Sequence, residues 1–232
     1  MRQYPGVTAH ATVPTVRIVD RMLHNSVSVM GLLARERGIR DYPLYEHEDV
    51  EYAMQRFKGH DFDAPFSLPM DIPVKATFRR AGHVLGSASI LLEAPGHTIY
   101  YTGDVCETRQ ELIDGFSPLP EDVQVDTLII EATHGANDTG GAVSYQDEIY
   151  RLGEQVAEVL KSGGTVLIPS FALGRTQEVL NFVSRLQEEG VIPTVPVYAS
   201  GLGRAVYELY DRFTDFMLPE AILRPLENYD RI

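Results

Sequence analysis

The 232-residue chain has one cysteine, Cys106, so no intrachain disulfide can form, and a reducing compartment such as the cytoplasm is the expected setting. Cys106 itself reads as a small buried side chain. No run of about 18 apolar residues exists, which argues against a membrane span. The opening MRQYPGVTAH lacks the basic and apolar regions of a signal peptide. Positive charge is scarce: 20 Lys and Arg stand against 33 Asp and Glu, for a net charge of -13. A protein that holds nucleic acid by general electrostatics is usually basic, so any such site here must be local, built on metal ions or a few arginines.

The 44% hydrophobic content supports an ordinary core, and the length suits one large domain or two small ones. No internal repeat is visible. Pro14 to Arg37 reads as a long helix: Pro14 suits a first turn, Gly38 a stop, and Val16, Val19, Leu23, Val27, Met30 and Leu33 form one apolar stripe. A second helix is predicted from Glu46, its acidic start matched to the positive helix end. From Pro73 to Glu131 short β-rich runs follow: Val74–Phe78, Ser89–Glu93, Thr98–Tyr101 and Thr127–Ile130, with a hairpin turn at Pro95–Gly96. Beyond a polar loop at 136–144 the pattern alternates, with helices predicted over 144–161, 174–189 and 203–216 and strands over 165–169 and 195–199. That alternation predicts a parallel sheet flanked by helices.

Three segments share one design, a strand ending in a polar, glycine-containing turn. They are Arg80-Ala-Gly-His83-Val-Leu-Gly-Ser-Ala88, Tyr101-Thr-Gly-Asp104 and Ile129-Ile-Glu131-Ala-Thr-His-Gly135. Strand-end side chains project into a shared cleft in α/β proteins, so His83, Asp104 and Glu131 are candidates for a divalent-metal site. Spacing alone leaves open the alternative of a turn histidine and two capping carboxylates. In Gly163-Gly-Thr-Val-Leu-Ile-Pro-Ser170-Phe-Ala-Leu-Gly-Arg175 a helix start follows a strand, and Ala199-Ser200-Gly-Leu-Gly-Arg204 repeats the arrangement. Free N–H groups there suit an anion, Arg175 could add a bidentate phosphate contact, and Ser170 and Ser200 are either phosphate contacts or simple caps.

Taken in order, AGHVLGSASILLE, YYTGD, TLIIEATHG and GGTVLIPSFALGRTQEVL resemble the metallo-β-lactamase superfamily, and more narrowly its β-CASP branch of RNA- and DNA-processing nucleases. The resemblance implies an α/β fold: a partial αββα metallo-β-lactamase sandwich at 1–138, followed by part of a parallel α/β β-CASP domain at 139–232. It implies two zinc ions, with His83 a ligand, Asp104 the bridging aspartate, and Glu131 supporting the site. Two such ions would lower the pKa of a shared water, orient it, and neutralise charge on the attacked phosphate.

The match has gaps. The HxHxDH segment that supplies most metal ligands in the family is absent, His47-Glu-Asp49 and His60-Asp-Phe-Asp63 have the wrong pattern, and Glu131-Ala-Thr-His-Gly135 replaces the usual Ser and Tyr of that motif. One histidine and one or two carboxylates cannot close a two-zinc site. The sequence therefore reads as an internal piece of a nuclease acting on RNA, with DNA the other candidate substrate, inactive alone, with exposed sheet edges and a complementing chain or homo-oligomer expected. The alternative is a non-catalytic scaffold that binds RNA or a nuclease partner. A small thioester or lactone hydrolase is disfavoured by the GRTQEVL region.

Overall fold

The computed structural model describes residues 6–136, 144–199 and 201–230. Its N-terminal unit is a β-α-α-β crossover. Strand β1 (Ala9–Thr12) runs into helix α1 (Val13–Arg37), helix α2 (His47–Met54) follows, and β2 (Phe57–His60) returns to pair with β1 in parallel. Local chemistry fixes both ends of α1: the Thr12 hydroxyl accepts from the Thr15 N–H, Pro14 sits in the first turn, and Gly38 ends the helix at φ 66°. Glu46 and Asp49 cap α2 reciprocally.

The second unit is a five-stranded mixed sheet in sequence order: β3 (Phe66–Leu68), β4 (Val74–Arg80), β5 (Ala88–Ala94), β6 (His97–Tyr101) and β7 (Thr127–Ile129). The pairs are antiparallel except β6–β7, which is parallel. β4, β5 and β6 are the β-rich runs expected from sequence, extended by one or two residues, and Gly96 makes the β5–β6 hairpin turn at φ 74°. β1, β2 and β3 were not expected.

Helices α3 (Tyr145–Lys161), α4 (Arg175–Glu188) and α5 (Gly201–Arg212) follow, and a single 3-10 turn at Thr214–Phe216 replaces the last part of the third expected helix. The expected strands at 165–169 and 195–199 do not form ladders; among the described residues this half has one isolated parallel bridge, Tyr198 to Asp230. The 165–169 segment still alternates. Val166 and Ile168 pack on the α3–α4 core, while Leu167 is 87% exposed and Phe171 83% exposed. An apolar, extended segment without a hydrogen-bonding neighbour is a strand by pattern and not by pairing. The overall class is thus α/β with mixed sheets.

One core cluster draws Ile18 of α1, Leu85 of the β4–β5 connection, Leu112 and Ile113 of the β6–β7 connection, and Val206 and Tyr210 of α5 into contact. Packing therefore crosses the domain boundary expected at 138/139, which itself lies outside the described residues. β7 is an open edge: Leu128 is 57% and Ile130 63% exposed, where a parallel strand is normally covered on both faces. Among the described residues no helix is long and apolar enough to cross a membrane.

Candidate active site

His83 lies in the seven-residue connection from β4 to β5, held on every side. The Ser87 hydroxyl accepts from the His83 and Val84 N–H groups, each at 3.1 Å. The Gly86 carbonyl accepts from the Thr12 hydroxyl at 2.7 Å and the Thr15 hydroxyl at 3.0 Å, tying the connection to the start of α1. The Leu85 N–H donates to the Tyr210 hydroxyl of α5. Gly82 has φ 75°, and a Cβ there would meet the Cys106 carbonyl oxygen at 2.5 Å. Only glycine lets the two backbones come that close.

Asp104 follows β6 and is exposed, just beyond the buried Thr102. Thr102 connects three segments: its N–H donates to the Ile129 carbonyl, its carbonyl accepts from the Ser89 hydroxyl, and its hydroxyl accepts from the Glu131 N–H. Glu131 follows β7. One of its carboxylate oxygens accepts from the Val105 N–H at 2.9 Å and the other from the Thr133 N–H at 3.2 Å. The Thr133 side chain, then these backbone donors, hold its pKa below the usual carboxylate range, and the His83 imidazole adds a smaller pull in the same direction. Glu131 therefore favours its ionised form, and it braces the residue next to Asp104.

Arg175 opens α4, and its Nη1 donates to the Gln110 side-chain oxygen at 2.8 Å. The Gln110 amide in turn donates to the carbonyls of Gly82 (2.8 Å) and His83 (3.3 Å). Two groups of contacts result, Glu131 with Val105 beside Asp104, and Arg175 with Gln110 and the His83 carbonyl; the Cys106 N–H, donating to the Ala81 carbonyl at 2.9 Å, ties the two connections together. Ser170 stands apart: it is exposed, and its hydroxyl reaches only the Ile168 carbonyl at 3.4 Å. Ser200 lies outside the described residues. Cys106, expected to be buried, is half-buried because its backbone pairs with Ala81 and Phe116 while its thiol turns to the Thr108 carbonyl.

The imidazole and carboxylate donors suit zinc in kind. They do not suffice in number: among the described residues no three His, Cys, Asp or Glu side chains group closely enough to hold a metal ion. Four of the other histidines pair among themselves, while His97 bonds to the Thr127 hydroxyl. His10 faces His60 at 2.9 Å between β1 and β2, and His24 faces His47 at 2.7 Å between α1 and α2.

Sequence reading missed the polar residues that build this site from behind. Gln177, Glu178 and Asn181 are buried on α4. Glu178 accepts from the Glu111 and Leu112 N–H groups, and burial pushes its pKa up to about 7. Gln177 donates to the carbonyls of Ala172 and Gly203, joining the α4 start to α5. A usable signal was present: polar residues at 177, 181 and 184 share one helix face with apolar neighbours on either side.

No family model matches the chain. Curated relatives do. It is 36% identical to an RNase J-like protein of Methanocaldococcus jannaschii over 173 residues, covering 72% of this chain and 39% of that protein. It is 28% identical to the endoribonuclease YSH1 of Candida glabrata over 216 residues, covering 89% of this chain and 26% of that protein. It is 26% identical to RNase aCSPSF2 of Saccharolobus solfataricus over 228 residues, covering 96% of this chain and 41% of that protein. The chain spans less than half the length of these relatives. By these matches the chain belongs to the β-CASP branch of the metallo-β-lactamase superfamily.

Proposed function

We propose that the chain supplies part of the catalytic core of a zinc-dependent ribonuclease, one that hydrolyses RNA phosphodiester bonds at a two-metal centre in the cytoplasm. One observation carries this reading. The turns after β4, β6 and β7 are joined by direct hydrogen bonds through Glu131, Thr102 and Gln110, so His83 and Asp104 are presented from a shared, braced framework. The matched relatives are named as ribonucleases, which supports RNA as the substrate.

In this reading His83 and Asp104 are zinc ligands, and Glu131 supports the residues around them. Ser170, Arg175 and Ser200 contact substrate phosphates. Arg175 is exposed at the start of a 14-residue helix, where N–H groups favour an anion. The remaining metal ligands come from outside the described residues, and a complementing chain or a second copy is one source for them. The polypeptide that supplies them also covers β7 and completes the αββα sandwich, with 139–232 as the β-CASP part. Zinc supplies positive charge at a site that the net charge of -13 would otherwise make hostile to phosphate.

A non-catalytic scaffold is the second reading, favoured by the lack of a three-donor metal group among the described residues. Incubating the 232-residue chain with zinc and end-labelled RNA tests the assignment. The expected result is no cleavage and fewer than two tightly bound zinc ions. Two tight zinc ions with cleavage abolished by His83→Ala would overturn the claim that the chain is incomplete alone.

A further inference from the structure

We propose that Arg175 and Gln110 act together as positioning residues for His83, so that the first turn of α4 sets the geometry of the candidate site. The inference rests on His83 being a site residue, but the contacts stand without that assignment. Gln110 is buried, and both ends of its amide are bonded. Its N–H₂ group donates to the Gly82 and His83 carbonyls, and its oxygen accepts from Arg175. Two backbone acceptors in a crowded turn thus depend on one side chain, and that side chain's orientation depends on one guanidinium.

The supporting contacts keep this chain of bonds taut. Glu178, one turn along α4, holds the N–H groups of Glu111 and Leu112, the residues next to Gln110. Gly174 presses on the residue after His83: a Cβ there would meet Val84 Cγ1 at 2.5 Å. Gln110 is also fixed at its own backbone, its N–H donating to the Ile113 carbonyl at 2.9 Å. An amide is needed at position 110 because it must accept from one partner and donate to two others, which neither a carboxylate nor an apolar side chain can do.

Residue-resolved amide hydrogen exchange on the 232-residue chain tests this with neither metal nor RNA, so its outcome is independent of the proposed reaction. The His83 and Val84 amides, both bonded to Ser87, report on the turn. Gln110→Leu and Gln110→Glu are each expected to speed their exchange about tenfold or more, in line with one lost buried bond. The Glu variant does so although it can still accept from Arg175. Arg175→Leu, at an exposed position that does not threaten folding, is expected to give a smaller increase. Arg175→Lys is expected to restore part of it. Amides in the β4–β5 ladder are expected to stay as in the unsubstituted chain. Unchanged His83 and Val84 exchange in Gln110→Leu and Arg175→Leu would overturn the proposal. So would an equal rise across the β4–β5 ladder, which would mean general loosening.

Discussion

Replacing Glu178 with glutamine is expected to change how stability depends on pH. Burial, with the Glu111 carboxylate adding to it, raises the Glu178 pKa from its usual 4.5 to about 7, despite the two backbone N–H groups and Arg175 that favour its ionised form. The folded carboxyl therefore binds its proton more tightly than the unfolded one. Stability from the protonated form is complete below 4.5 and is lost as pH rises to about 7. At about 1.4 kcal/mol per pH unit that loss is roughly 3 kcal/mol. Glutamine cannot ionise, and its oxygen can still accept from Glu111 and Leu112. Its N–H₂ group gains no acceptor, at a pH-independent cost of about 1 kcal/mol. Denaturant unfolding of both chains from about pH 4.5 to about pH 8 measures the difference, to which other titrating groups contribute equally. Glu178→Gln is expected to be slightly less stable at the acid end and about 2 kcal/mol more stable at the alkaline end. A stability difference that stays constant across that range would refute the assignment of a buried, proton-holding carboxyl.

Gly82→Ala is expected to cost about 3 kcal/mol or more in the same assay, because it combines a positive φ with a 2.5 Å approach to the Cys106 carbonyl. A loss comparable with a surface substitution would contradict the close packing of the two connections. His10 and His60 have pKa values held down by burial, so the stability they contribute is present above 6.5 and is lost as pH falls below it. His60→Phe keeps a ring against Phe66 and is expected to make the acid limb of the stability curve less steep, while an unaltered limb would place its cause elsewhere. Leu128→Lys with Ile130→Lys is expected to lower self-association in sedimentation experiments without lowering the unfolding midpoint, since both side chains are exposed on an open edge. Unchanged association would remove β7 as the adhesive surface.

Much of the fold was legible because its signals are local. Pro14, Gly38 and the apolar stripe delimit α1, and Pro95–Gly96 sits between the two runs that form β5 and β6. The residues missed lack such signals. β2 reads FKGH, with no alternation of apolar and polar residues, and its partner β1 lies across two intervening helices. Strand 165–169 was misjudged for the opposite reason: its Val166, Leu167, Ile168 pattern is that of a buried strand, yet pairing needs a neighbour that pattern alone does not supply. The site showed the same division. His83, Asp104 and Glu131 were visible as polar residues at glycine turns after apolar runs. Gln177, Glu178 and Asn181 were harder to see, since polar residues three and four apart on a helix ordinarily mark its solvent face, and Gln110, in the irregular β6–β7 connection, has no periodic pattern to mark it.

The central claim is that His83 and Asp104 of this chain form part of a working ribonuclease centre. The most direct measurement is RNA cleavage by a chimaera in which this chain's segment replaces the 173 matching residues of the Methanocaldococcus jannaschii RNase J-like protein. Zinc-dependent cleavage is expected, falling at least about a hundredfold with Asp104→Ala or His83→Ala while the unfolding midpoint is kept. A folded chimaera that does not cleave RNA, or whose cleavage survives both substitutions, would contradict it.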